Sequence, residues 1–315
     1  GLTKVYPYGS VTKNILGKEI SEMGLLAEAG AVAFTDGFKS IANAQLMCQA
    51  LTYADTFNLL ICQYPEETVL ASGGAMNAGE TATRLGLSGI PKQAEVIIVE
   101  RDIRILEITG GRIHFTNLST QESIEAVRKA KNKGLAVSCD TAPPYFSLNE
   151  TSLLSYNTAF KLSPPLRIED DRLAVIEGIQ DGTIDAIASD HRARSKDTKV
   201  QPFSAASIGA SGIETLFVMT LELVHKKIID LNKAISLLTT NPANVLNMKK
   251  PSLEKDELAE FIIFDENFPD MINQNNLKTS PTPFDHRKIN GKILGTFING
   301  QAAYISQMFK DKIIK

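Results

Sequence analysis

Short runs of β-branched and apolar residues alternate with longer segments of helical periodicity through residues 1–250, and this alternation restricts the fold more than any other feature. It is the pattern of successive βα units, which build a parallel sheet because each strand must return through a crossover helix. The candidate strands are Lys4–Tyr8, Ala31–Asp36, Asn58–Tyr64, Arg112–Ser119, Ala136–Ala142 and Thr183–Asp190. They read as nearly unbroken apolar runs, which a strand needs when both of its faces are covered. Helical patterns occupy Ala42–Thr56, Gln93–Thr109, Thr120–Lys133, Asp170–Gln180, Glu214–Val224 and Leu231–Leu238. Ser119 or Thr120 is placed to cap the third of these, and Gly134 to end it in a left-handed conformation. Ser163-Pro164-Pro165 must be loop, and the charged stretch Arg192–Val200 reads as a mobile one.

Beyond Pro251 the pattern changes. Glu260–Asp265 and Lys292–Tyr304 are strands, the second broken by an Asn-Gly turn at Asn299-Gly300, with Pro- and Asn-rich loop between them. The expected division is residues 1–250 as the α/β unit and residues 251–315 as a small β appendage. Six parallel strands are too few for a standard eight-stranded barrel. The sheet is therefore either open, or completed by strands outside this sequence.

Composition narrows the function classes. Lys and Arg number 33 against 36 Asp and Glu, a net charge of −3, so nothing draws the chain to nucleic acid or to an anionic membrane. Three cysteines form an odd set in a chain of 315 residues, unlike a secreted disulfide framework. No apolar run reaches the ~18 residues of a membrane span. The expectation is a soluble cytoplasmic α/β protein. Only 4 histidines occur, His114, His191, His225 and His286, so a histidine-rich metal centre has few ligands to draw on.

Ligands gather at the carboxyl ends of parallel strands. Those ends offer Asp36, Gln63, Asn117, Asp140 with Tyr145 beyond it, and Asp190-His191. Strand parity sets His114 opposite to Asn117, so with Asn117 inward His114 is expected to point out towards the helices. Asp190-His191 is the strongest local signal: a metal ligand or general base on one reading, an acid paired with Arg192 or Arg194 on the other.

Several segments together resemble the bacterial dihydroorotases of the amidohydrolase superfamily. They are Ser163-Pro-Pro-Leu-Arg167, Asp181-Gly-Thr-Ile-Asp-Ala-Ile-Ala-Ser-Asp-His191, Glu28-Ala-Gly-Ala-Val-Ala-Phe-Thr-Asp36, Gly212-Ile-Glu-Thr215, Thr240-Asn-Pro-Ala243 and Thr282-Pro-Phe-Asp285. The resemblance runs in order from about Lys4 to Tyr304. It implies a (β/α)8 TIM-type barrel with a small β-sandwich, and hydrolysis or closure of a cyclic amide in pyrimidine synthesis with one or two zinc ions. The first two barrel strands, with a His-x-His-x-Arg motif on the first, are expected to precede Gly1 in a longer chain.

Carried over position by position, the implied site is degenerate. The metal-binding acids match Asp36 and Asp190, the latter also the general base of an active member. The two histidine ligands fall on Gln63 and Asn117, and the histidine after the seventh barrel strand falls on Tyr145 of Pro143-Pro-Tyr145. Substrate-binding positions fall on Ser163, His191 and Arg194. Amide oxygens are feeble zinc ligands beside imidazole nitrogens, and without the metal no bound water ionises near neutral pH. The expected function is thus a non-catalytic dihydroorotase-like protein without zinc, a homo-oligomer acting as structural partner of aspartate transcarbamoylase. The alternative is an active cyclic amidohydrolase with a mononuclear zinc site. A third reading has Arg167, Arg192 and Arg194 clamping a small anion.

Overall fold

A computed structural model describes residues 2–313 of the chain. Its strands are β1 (Tyr8–Gly9), β2 (Ala33–Phe34), β3 (Leu60–Gln63), β4 (Met76–Asn77), β5 (Gly89–Ile90), β6 (Arg112–Phe115), β7 (Val137–Thr141), β8 (Ala186–Ile187), β9 (Phe261–Met271), β10 (Lys288–Ile298) and β11 (Gln301–Ile305). All six strands expected in the α/β part are present and form one parallel sheet in the order β1-β2-β3-β6-β7-β8. Neighbours in space are neighbours along the wound chain, with no reversal of order. That is the winding of a barrel wall and not of a doubly wound sheet, which reverses at a switch point.

Each strand is shorter than its apolar run. β8 keeps only Ala186–Ile187 of Thr183–Asp190, because the chain leaves the ladder after Ala188 and Asp190 takes a φ of +43°. The helices follow the sequence closely: Gln93–Thr109 and Leu231–Leu238 form over the expected residues. Thr120 is the cap of Gln121–Asn132, its hydroxyl accepting the Ser123 N–H at 3.4 Å, and Gly134 follows at a φ of +80°. A short helix (Thr68–Ala71) and the turn Ser72-Gly73-Gly74 lead into a small parallel pair, β4 with β5.

The sheet has two unlike faces. Phe34, Ile61, Ile113, Phe115, Val137 and Cys139 turn outward to meet Met47, Leu51, Leu106, Ile124 and Val127 from the surrounding helices. Burying each large side chain there contributes about 2 kcal/mol. On the inner face Ala33, Leu60 and Cys62 pack on Val245 and Leu246, so the helix Thr240–Val245 closes one end of the wall.

The stretch Arg192–Val200, expected to be mobile, is fastened. It contains the short helix Lys196–Lys199, and the buried Lys199 donates to the carbonyls of Ser207 and Gly209 at 2.8 Å each. Lys161 donates to the Ser204 carbonyl at 2.7 Å from below. Further on, β9, β10 and β11 form an antiparallel sheet, turning between the last two at Asn299-Gly300, where both φ angles are positive (+51° and +76°) as a two-residue type I′ hairpin requires. Arg287 ties this sheet to the helix Leu216–His225 through a bidentate pair with Glu222 at 2.9 and 2.7 Å.

Among the described residues, no helix is long and apolar enough to cross a membrane.

One close approach fixes the loop above β8. A Cβ on Gly212 would lie 2.0 Å from the Ser189 carbonyl oxygen, and backbone cannot step aside as a side chain can. Gly212→Ala is expected to destabilise the chain by about 3 kcal/mol in urea unfolding, the size of an overpacking strain. A loss below about 1 kcal/mol would show that the two loops are not held against each other.

Candidate functional site

The carboxyl ends of β2, β3, β6, β7 and β8 converge on a polar cluster centred on Asp190. Its carboxylate is almost entirely removed from solvent, with a side-chain exposure of 4%. Tyr145 donates its hydroxyl to Asp190 Oδ2 at 3.0 Å. Asn117 Nδ2 and Arg192 Nε both donate to Asp190 Oδ1, at 3.3 and 3.1 Å. Burial raises the Asp190 carboxyl to about 6, against the opposing pull of Arg192 and the Tyr145 hydroxyl. Burial also holds the Tyr145 phenol well above its ordinary range, so it remains a donor.

Asp36, the second retained acid, is equally occupied. The Thr12 N–H donates to its Oδ1 at 2.9 Å and the Thr12 hydroxyl bonds its Oδ2, with Thr12 itself fully buried. Nothing in the sequence around Thr12 signals this role, because the contact spans separate βα units.

Gln63 does not face the barrel mouth. It shares the outward face of Ile61, where its Oε1 accepts the Ile41 N–H at 3.3 Å and its Nε2 donates to Asp102 of the helix Gln93–Thr109 at 3.0 Å. Burial lifts Asp102 to about 6 despite Arg101 beside it and this bond from Gln63. A side chain at position 63 thus serves packing of a helix on the sheet.

The expectation for His114 is reversed as well. His114 lies beside Cys62 and Ser138 across the ladder, on the inner face, with Nε2 3.0 Å from Asp140 Oδ2 and Nδ1 2.8 Å from Ser138 Oγ. The parity argument fails because β6 ends at Phe115 and Asn117 takes a φ of +56°, which breaks the alternation between the two residues. Asp140 joins them another way: its Oδ1 accepts the Asn117 N–H at 2.6 Å.

The expected substrate-binding residues are turned to internal bonds. Ser163 hydrogen-bonds the Tyr64 hydroxyl and reaches Glu66 Oε2 at 3.4 Å. His191 Nδ1 accepts the N–H groups of Gly212 and Ile213 at 3.2 and 3.4 Å. Arg194 donates Nε to the Ile208 carbonyl at 2.7 Å. The three-arginine clamp is not formed. Arg167 is buried elsewhere, donating to Ser119 Oγ at 3.1 Å and Asn77 Oδ1 at 3.0 Å, and lying 3.7 Å from Glu95. Glu95 in turn accepts from both Ser119 and Thr120, so this group anchors the start of a helix.

The donor set in this chain does not fit zinc. Among the described residues no three His, Cys, Asp or Glu side chains come together as a possible metal site. A carboxylate has about four lone-pair positions, and those of Asp190 already meet a guanidinium, an amide and a phenol. The Arg192 charge also offsets that of Asp190, weakening its attraction for a dication. Behind Asp190, between Pro143, Ser189, Gly212 and Phe284, the free space is about 10 Å³, enough for no more than one water.

Comparison with known proteins agrees on ancestry. A dihydro-orotase-like family profile matches residues 2–123 and an amidohydrolase-family profile residues 65–303. The dihydroorotase of Desulforapulum autotrophicum is 38% identical over 306 residues, covering 96% of this chain and 72% of that protein. The dihydroorotase of Anaplasma phagocytophilum is 38% identical over 300 residues, 94% of this chain and 67% of its own length. Among solved structures, the L-hydantoinase (dihydropyrimidinase) of Arthrobacter aurescens superposes with a TM-score of 0.81 at 21% identity, over 94% of this chain and 68% of that one. At that identity the likeness establishes the fold, an amidohydrolase-type α/β barrel.

Asp190 and Asp102 together give a pH signature. Both carboxyls stand near 6 when folded and near 4 when unfolded, so between those values the folded chain holds more protons. Their contribution therefore makes stability fall as pH rises from about 4 to about 6. In Asp102→Asn the slope of unfolding free energy across this window is expected to flatten, read by urea titrations at several pH values. An unchanged slope would mean that Asp102 is ionised at the ordinary pH.

Proposed function

Since the chain belongs to the dihydroorotase family of amidohydrolases, we propose that it is a non-catalytic member whose barrel serves as a structural partner of aspartate transcarbamoylase in pyrimidine synthesis. One observation carries this reading: each retained acid is already bonded by the chain's own side chains. Thr12 takes Asp36, and Tyr145, Asn117 and Arg192 take Asp190. The hydrolytic chemistry of the family needs a metal-held water as nucleophile, and an acid free to receive its proton. Here the acid that would receive it is bound by three donors.

The substitutions point the same way. Asn117, at one position where the resemblance implies an imidazole, now holds Asp190, while Gln63, at the other, faces away from the mouth and fixes a helix to the sheet, so it is no stand-in for a ligand. Selection for turnover would not retain a guanidinium 3.1 Å from the would-be base. What remains intact is the wall, its packed outer helices and the surface they present, which is what a scaffold needs.

Dihydroorotate hydrolysis by the full-length protein, assayed with and without added zinc, is expected to stay at the uncatalysed rate. Zinc content after dialysis is expected to lie well below one per chain, and aspartate transcarbamoylase is expected to co-purify. Turnover that is abolished by Asp190→Asn, together with stoichiometric zinc, would overturn the reading.

A further inference from the structure

Arg192 does more than neutralise Asp190. Its guanidinium carbon lies 3.4 Å from the centroid of the Phe38 ring and 5.3 Å from that of Tyr64. The two rings stand edge to face at 87° and 6.1 Å, so they form two walls of one niche. Asp190 Oδ1 closes a third side by accepting Nε. Three separate segments meet here: the loop after β2, the residue after β3, and the loop after β8. The Arg192 side chain is 6% exposed, while the Phe38 residue that covers it is 57% exposed. A ring left that open gains little from burial and is held for its face.

Arg192 Nη2 is buried without a hydrogen-bond partner. Leaving a charged donor unmet is costly, and an ion pair needing only a positive charge could avoid it. An aromatic face and a carboxylate in a dry niche recognise the flat, delocalised shape of a guanidinium, which a compact ammonium does not match.

We propose that Phe38, Tyr64 and Asp190 form a guanidinium-binding cage at the barrel mouth, occupied by the chain's own Arg192 as a tethered ligand that latches the loops together. The cage accepts a free alkylguanidinium once the tether is removed. The inference rests on the reading that Asp190 holds no metal, but it can be tested without metal or turnover, so the two can fail separately.

The test is thermal unfolding of Arg192→Ala with methylguanidinium or methylammonium at low millimolar concentration. Arg192→Ala is expected to lower the midpoint by about 5 °C, and methylguanidinium to restore about 3 °C of that. Methylammonium should restore nothing, and the unaltered chain should gain nothing from either. Rescue should vanish in Arg192→Ala/Phe38→Ala. Equal effects of the two cations, rescue that survives loss of Phe38, or no rescue at all would overturn the cage. If Arg192→Ala does not fold, Phe38→Ala in the chain that keeps Arg192 decides the matter. A midpoint lowered by several degrees, large for so exposed a ring, supports the latch, and an unchanged midpoint refutes it.

Discussion

A carboxylate shut away from water must find donors or take up a proton, and Asp190 is where this chain faces that choice. It resolves it with a phenol, an amide and a guanidinium, all within 3.3 Å. Much of the barrel mouth follows. Asn117 must sit in a left-handed turn to reach Asp190, and Asp140 holds that turn by accepting its N–H. Arg192 must leave the end of β8 towards Phe38, and the loop behind it is then pinned by Lys161 and Lys199. The acid is balanced by side chains of the chain itself.

The same substitution of internal for external partners recurs at Asp36, where Thr12 supplies both bonds. Both acids are thus bonded from within the chain.

The wall of the barrel was legible in the sequence because apolar runs and helical periodicity report burial directly. The strands appeared in their expected order, and the helices Gln93–Thr109 and Leu231–Leu238 over their expected residues. The strand ends were less legible, since an apolar run continues past the last ladder bond, as it does beyond Ile187. The direction in which a side chain at a strand end points was less legible still. His114 faces inward against expectation, because parity holds only within a strand and Asn117 lies beyond one. Thr12 and Phe38 left no trace, because their roles come from contacts between segments far apart in the chain.

The central claim is that Asp190 is already paired, so the most direct measurement is a crystal structure grown with millimolar zinc. The account predicts Arg192 Nε still against Asp190 and no ion between the two retained acids. A divalent ion at about 2.1 Å from Asp36 and Asp190, with Arg192 swung aside, would contradict it.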